Sequence, residues 1–426
     1  MLDRTKAPVI RDAVEFDVKL KPYEYFLLNN KVPVYSINAG AEDVTMIEWV
    51  FYAGNWYEEK NIVAASTNFL LENGTKNKSS FEINEHFDFY GAYLNRSCQN
   101  ETATITLHCL SKHLHLLLPV VAEMLTESVF PEKELLIYKQ NQKQKLEVNL
   151  KKCDFVANRL IDEYLYGIDH PYGKYTSAQD YDKVQREELI KFYDQFYVNG
   201  KCLIFVAGKL PADINQQLNN VFGDLPFNQK LLPDINYAIN SASEKKYNIL
   251  NDKNGVQAAI RIARAFPNRH HPDFIRAQVL NNIFGGYFGS RLMSNIREDK
   301  GYTYGIHSYL QSHIHSSAWM VTTEAGRDVS EATMFEIYKE MKRLCNVPVK
   351  ESELQLIRNH MIGSILSNLD GPFQIIARWK NYILNNLGKD YFYKSLDIIK
   401  TVTGQELQHL AKKYFVEDEF YQISVI

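Results

Sequence analysis

Metal chemistry needs imidazole, thiolate or carboxylate groups at spacings that a helix or strand turns to one side. This chain offers few such sets. His113 and His115 form an H-x-H pair, and so do His313 and His315. On a strand each pair would face one side and could hold a metal. No third ligand accompanies either pair. The stretch EINEH (82–86) has the outline of the zinc-binding pattern H-x-x-E-H, but Glu82 stands where the first histidine belongs. It reads as a surface helix, and no complete H-x-x-E-H occurs anywhere. His270-His271 stands beside Pro272 in a turn-like stretch and reads as solvent-facing. The five cysteines (Cys98, Cys109, Cys153, Cys202, Cys345) are odd in number and include no C-x-x-C pair. They read as scattered thiols of a reducing compartment.

A length of 426 residues exceeds one ordinary core, so two domains are expected. Hydrophobic residues at 45% and charged residues at 23% fit a soluble globular protein. A net charge of −3 gives no global pull toward nucleic acid or an anionic membrane. The opening MLDRTKAPVIRDAVEFDVKL has no apolar run of signal-peptide type, so a cytoplasmic location is the expectation. The richest apolar stretch, LHLLLPVVAEML (114–125), is too short and too polar for a membrane span.

The elements repeat. REELIKFYDQFYVNGKCLIFVAG (186–208) reads as helix, turn and apolar strand, and GQELQHLAKKYFVEDEFYQISVI (404–426) has the same layout. Glu188-Leu189 recurs as Glu406-Leu407, 218 residues on. Upstream, Tyr90-Gly91 recurs as Tyr304-Gly305, 214 residues on, and each leads through Glu-Met (123–124, 340–341) to an acidic helix start. ATITLHCL (103–110) alternates like a half-buried strand, and CLIFVAG (202–208) is a fully apolar one. In SEATMFEIYKEMKRL (330–344), Met334, Ile337 and Met341 share a helical face, with Asp328 and Glu331 as a capping box. The fold class is therefore α+β. Strand runs and long helices within each repeated half suggest a sheet with helices packed on one side. The boundaries are 1–226 and 247–426, and FNQKLLPDINYAINSASEKK (227–246) is the linker.

The stretch NNIFGGYFGSRLMSNIREDKGYTYGI (281–306) closely resembles the second half of the pitrilysin/insulinase family of zinc metallopeptidases, which includes the mitochondrial processing peptidases. TMIEWVFYAGNWYEE (45–59), Gly74-Thr75 and His170-Pro171-Tyr172-Gly173 follow in family order. The resemblance implies two homologous α/β sandwich domains from internal duplication, each an antiparallel-rich sheet with helices packed on one face, arranged around a central space. It also implies H-x-x-E-H on the helix before Gly74-Thr75, with a downstream glutamate as third zinc ligand. Ala65, Asn68 and Phe69 occupy the His, Glu and His positions. Alanine and phenylalanine cannot ligate zinc, and asparagine is no base near neutral pH. The third-ligand position falls near Glu147 in YKQNQKQKLEVNLKK (138–152); an ordinary solvated glutamate is its other reading. That helix is basic, with Lys139, Lys143, Lys145, Lys151 and Lys152, which suits a solvated face or a wall for acidic peptides.

The resemblance further implies an Arg and a Tyr seven residues apart that serve the zinc from the second half. Arg297 and Tyr304 have that spacing. An arginine can hold a peptide carbonyl or carboxylate, and a tyrosine hydroxyl can donate to an oxyanion. Alternatively, Arg297 pairs with a nearby acid and Tyr304 is a half-buried strand residue. Some members of the family divide the work between a zinc-bearing chain and one that lacks the motif. The sequence therefore reads as a non-catalytic, peptide-positioning subunit of a heterodimeric zinc peptidase. No metal or cofactor is expected in this chain, and zinc is expected in a homologous partner. An unfolded peptide is the expected substrate, and a homodimer of the isolated chain stays open. The rival reading is an inactive scaffold or peptide-binding homologue outside any protease complex.

Overall fold

The computed structural model describes residue 5 and residues 12–227 and 232–426. Residues 228–231 of the expected linker lie outside the described residues, as do most of the first eleven, on which the signal-peptide reading partly rests. The remaining described linker residues through 243 form no helix or strand.

Six strands make the first sheet: β1 (Glu24–Leu27), β2 (Pro33–Asn38), β3 (Val44–Phe51), β4 (Tyr93–Cys98), β5 (Ala103–Leu110) and β6 (Cys202–Gly208). Their order is β1-β2-β6-β3-β5-β4. Five strands make the second: β7 (Lys246–Ile249), β8 (Gln257–Phe266), β9 (Thr303–Ser312), β10 (Ser317–Gly326) and β11 (Tyr421–Val425), in the order β7-β11-β8-β10-β9. Leaving out the edge strand β1, the two orders are the same. The pairing sense agrees too. β6 is parallel to β2 and antiparallel to β3, and β11 is parallel to β7 and antiparallel to β8. A shared topology of this kind is the structural form of the sequence repeat.

The recurring Glu-Leu dipeptide has a local cause. Helix Arg186–Tyr193 begins with the Gln185 N–H donating to the Glu188 carboxylate at 3.0 Å. Helix Gly404–Tyr414 begins with Thr403 N–H donating to Glu406 at 2.8 Å. Each glutamate satisfies a donor that the helix start leaves open. The leucine after it, Leu189 or Leu407, is fully buried.

β6 is buried at every position, as its unbroken apolar run requires. One of its faces joins the core around Trp49, Phe51, Ile105, Ile204 and Phe222. Residues 371–381 cover strands of this sheet: Lys380 Nζ lies 2.8 Å from both oxygens of Glu48 on β3. The chain forms two compact units, neither continuous in sequence. One contains Pro22–Ala263, Gly371–Asn381 and Tyr421–Ile426. The other contains Arg264–Asp370, Tyr382–Phe420 and the described residues through Lys21. Among the described residues, no helix is long and apolar enough to cross a membrane.

Two local expectations need correction. The Asp328–Glu331 capping box does not form, because a 3-10 turn, Arg327–Val329, runs straight into helix Ser330–Asn346 and puts Val329 at the cap. Met334, Ile337 and Met341 are nonetheless buried there. Neither H-x-H pair lies on a strand. His113 ends a 3-10 turn and His115 is in helix Leu114–Glu127, while His313 and His315 are in the turn between β9 and β10. EINEH does lie on a surface helix, Ser80–Phe89, where Glu82 accepts the Ser79 N–H at 2.8 Å.

Candidate functional site

Helix Val63–Leu70 holds the positions where the resemblance puts zinc ligands. Its start is fixed by Glu58, whose carboxylate accepts from Ile62 N–H at 3.3 Å and Ala64 N–H at 3.0 Å. Ile62 adopts φ 69°, which turns the chain into the helix. Burial pushes the Glu58 carboxyl up to about 7, with the two backbone donors pulling the other way.

Ala65 and Phe69, one turn apart, are both exposed, whereas Asn68 is buried. Asn68 Nδ2 donates to the fully buried Tyr197 hydroxyl at 3.1 Å. The Phe69 ring lies 4.9 Å from the ring of Tyr138 and 5.0 Å from the Arg96 guanidinium. Arg96 also donates to the Phe69 carbonyl and pairs with Glu72. Tyr138 comes from helix Glu132–Asn149, and its hydroxyl lies 3.3 Å from Ser66 Oγ.

Glu147 is exposed on the same helix as Tyr138. It is nine residues further on, and at about 100° per residue this is the opposite side of the helix. The structure therefore does not bring Glu147 toward residues 65–69. Among the described residues, no three His, Cys, Asp or Glu side chains form a group that could hold a metal. An alanine methyl, a phenyl ring and a buried carboxamide supply no zinc donor set, so the zinc of the resembled family does not fit here.

The 281–306 stretch is built differently. Helix Phe274–Asn281 continues into a π-helical turn, Asn282–Gly286, and a second π-helical segment spans Met293–Asp299. A Cβ on Gly285 would come within 2.8 Å of the Ser308 Cβ, so glycine lets this turn close onto β9. Ser308 Oγ is 2.6 Å from Asn281 Oδ1 and accepts Trp319 Nε1–H at 3.0 Å. Arg291 holds Glu353 through two bonds of 2.8 Å. Met293 and Ile296 are buried, so their neighbour Arg297 emerges at the surface edge. Gly301, at φ 65°, turns the chain into β9.

Arg297 Nε donates to the Tyr304 carbonyl at 2.9 Å. Its guanidinium carbon lies 4.7 Å from the Phe288 ring centroid and 5.9 Å from that of Tyr304. Tyr304 is 93% exposed and Phe288 62%. Among the described residues, Arg297 has no carboxylate partner and the Tyr304 hydroxyl has no hydrogen-bond partner. The structure thus brings Arg297 and Tyr304 together and adds Phe288, which the sequence reading does not single out. The cluster can offer a fixed cation, an unspent hydroxyl donor and two exposed aromatic faces.

Two sequence models of one peptidase family match the chain. The model described as Insulinase (Peptidase family M16) covers residues 34–169, and Peptidase M16 inactive domain covers residues 183–361. An uncharacterized zinc protease, YmxG, of Bacillus subtilis is 24% identical over 86% of this chain and 88% of its own length. A non-peptidase homolog, YmxG, of Helicobacter pylori is 22% identical over 90% of this chain and 89% of its own. The crystal structure of a peptidase M16 inactive domain from Pseudomonas fluorescens superposes with a TM-score of 0.83 at 21% identity. It covers 95% of this chain and 98% of that one, and it speaks to the fold alone.

Proposed function

The chain belongs to the insulinase (M16) peptidase family, and from that premise we propose that it is the non-catalytic, peptide-positioning subunit of a heterodimeric zinc peptidase. One observation supports this above others. The positions for zinc ligands carry no zinc donor, with Asn68 spent on Tyr197 and Phe69 packed on Tyr138, while the Tyr304 hydroxyl has no internal hydrogen-bond partner and Arg297 no carboxylate partner among the described residues. On this reading, peptide bond hydrolysis takes place at the zinc of a homologous partner. Arg297 holds a carbonyl of an unfolded peptide, and the Tyr304 hydroxyl donates to the oxyanion as it forms. The exposed Phe288 ring gives an adjoining substrate residue an apolar contact. The five free cysteines support a cytoplasmic setting.

The test is reconstitution with a zinc-bearing homologue encoded in the same genome, followed by peptide hydrolysis assays with and without Tyr304→Phe. Activity of the pair that neither chain has alone, and that the substitution lowers, is the expected result. Full activity of the partner alone would discard the subunit reading. The second reading, an inactive scaffold or peptide-binding homologue, is favoured by the relative named a non-peptidase homolog. It gains if no homologue co-purifies with this chain.

A further inference from the structure

Helix Glu132–Asn149 has little apolar character, and six lysines lie in it or just past its end (Lys133, Lys139, Lys143, Lys145, Lys151 and Lys152); of these, Lys145 alone lines a pocket. Lys143 is tied to Asp182 at 2.7 Å, and Lys152 bonds to Asn149 Oδ1 at 3.0 Å. Lys145 has no bonded partner among the described residues, and it lines a pocket between this helix and helix Cys153–Tyr166. Arg159 lines the same pocket.

Arg159 is fixed before any ligand arrives. Its guanidinium carbon lies 4.1 Å from the Tyr175 ring centroid and 5.4 Å from that of Phe155. Nη2 donates to the Thr176 carbonyl at 2.5 Å, while Nη1 is shielded from solvent without any hydrogen-bond partner. The nearby carboxylates are otherwise engaged. Asp180 accepts from Ser177 N–H at 2.6 Å, Ser177 Oγ at 2.8 Å and Asn61 at 3.0 Å, and Glu163 accepts from Tyr175. Neither acid lines the pocket, which has two cations and no anion.

We infer that this pocket binds a carboxylate, the side chain of an acidic residue in a peptide. A planar guanidinium and a mobile ammonium match a single carboxylate group. Gln142 and Thr176 add neutral polar groups, and Leu146, Phe155 and Tyr181 give apolar walls for an aliphatic stem. Inorganic phosphate shares the charge but would leave those walls unused. The pocket lies wholly in the unit that contains Pro22–Ala263, away from Arg297 and Tyr304 in sequence and unit, and does not depend on their role.

The experiment is calorimetric titration of the full chain, without a partner, using acetyl-Gly-Glu-Gly-amide, its glutamine counterpart and inorganic phosphate. The glutamate peptide should bind at least about tenfold more tightly than the glutamine one, a difference of roughly 1.4 kcal/mol. Lys145→Gln should weaken it about tenfold, and Arg159→Lys should do likewise because the planar fork is lost though the charge remains. Lys145 is exposed, so its variant should keep the melting temperature of the parent and test the pocket without disturbing the fold. Equal binding of the two peptides would overturn the inference, as would glutamate-peptide binding unchanged in both variants. Phosphate binding that depends on Lys145, with no glutamate-peptide binding, would overturn the carboxylate assignment.

Discussion

Helix Val63–Leu70 and the Phe288–Arg297–Tyr304 cluster differ in what their polar groups do. In the first, Asn68 is committed to Tyr197, Arg96 to Glu72 and the Phe69 carbonyl, and Glu58 to two backbone donors. In the second, the only hydrogen bond that the named side chains make among the described residues positions Arg297 on the Tyr304 carbonyl and leaves the hydroxyl unused. A position that no longer serves a ligand can be absorbed into packing, which lowers the free energy of the folded chain. A position kept for an outside molecule must forgo that gain. The contrast separates polar groups spent inside the fold from polar groups left open to an outside molecule.

The contrast can be broken most directly at Tyr304. In an active reconstituted pair, Tyr304→Phe should slow peptide hydrolysis by roughly 10²–10³, the usual cost of one oxyanion donor. The melting temperature of the isolated chain should stay within error, since the hydroxyl has no internal partner. Unchanged turnover would leave the Tyr304 hydroxyl without a part in hydrolysis. Arg297→Ala should weaken peptide binding as well as turnover, because its contact exists before and during the reaction.

Glu58 sharpens the other side. Its carboxyl is raised from 4.5 to about 7 in the folded chain, so the native state binds the extra proton between those values. Stability should therefore fall as pH rises from about 4.5 to 7 and level off above, by on the order of 3 kcal/mol. Denaturant titrations across that range should show the decline in the parent and a much flatter profile in Glu58→Gln. An equally steep profile in the variant would assign the decline to another group.

Asn68→Ala should cost about 1–3 kcal/mol by chemical denaturation, because it strands the buried Tyr197 hydroxyl. Adding Tyr197→Phe should recover part of that loss. Independent losses in the double variant would mean that the bond contributes little. The smallest effect is expected from rebuilding the motif. The triple variant Ala65→His, Asn68→Glu, Phe69→His should still bind no stoichiometric zinc by elemental analysis, since Glu147 points to the other side of its helix. One zinc per chain, lost again with Glu147→Gln, would restore Glu147 to the site.

The sequence made the duplicated fold visible because its signals are local. Glu188-Leu189 and Glu406-Leu407 are each a capping carboxylate followed by a core leucine, and both jobs are set within one helical turn. The continuous run at 202–208 likewise announces a strand buried on both faces. Phase was harder to read. Counting from a motif places a third ligand near Glu147, but two residues of error turn a helix by about 200°. Asp328 looks like a cap until the 3-10 turn before the helix moves the boundary. Glu58 meets its donors four and six residues on, and Phe288 meets Arg297 nine residues on, across irregular turns that follow neither a helical nor a strand period, so no periodic pattern marks them.

The shared strand order also bears on how the chain is made. In each half the strand that divides the sheet is the last to be translated: β6 enters between β2 and β3, and β11 between β7 and β8. Ile204 pairs with Val34, and Ile423 pairs with Tyr247, across long stretches of nascent chain. The first sheet can therefore close once residue 208 has left the ribosome, whereas the second stays open until residues 421–425 appear. During that interval β7 and β8 expose unpaired edges, which makes them natural sites for a holding chaperone and for misassembly between neighbouring nascent chains.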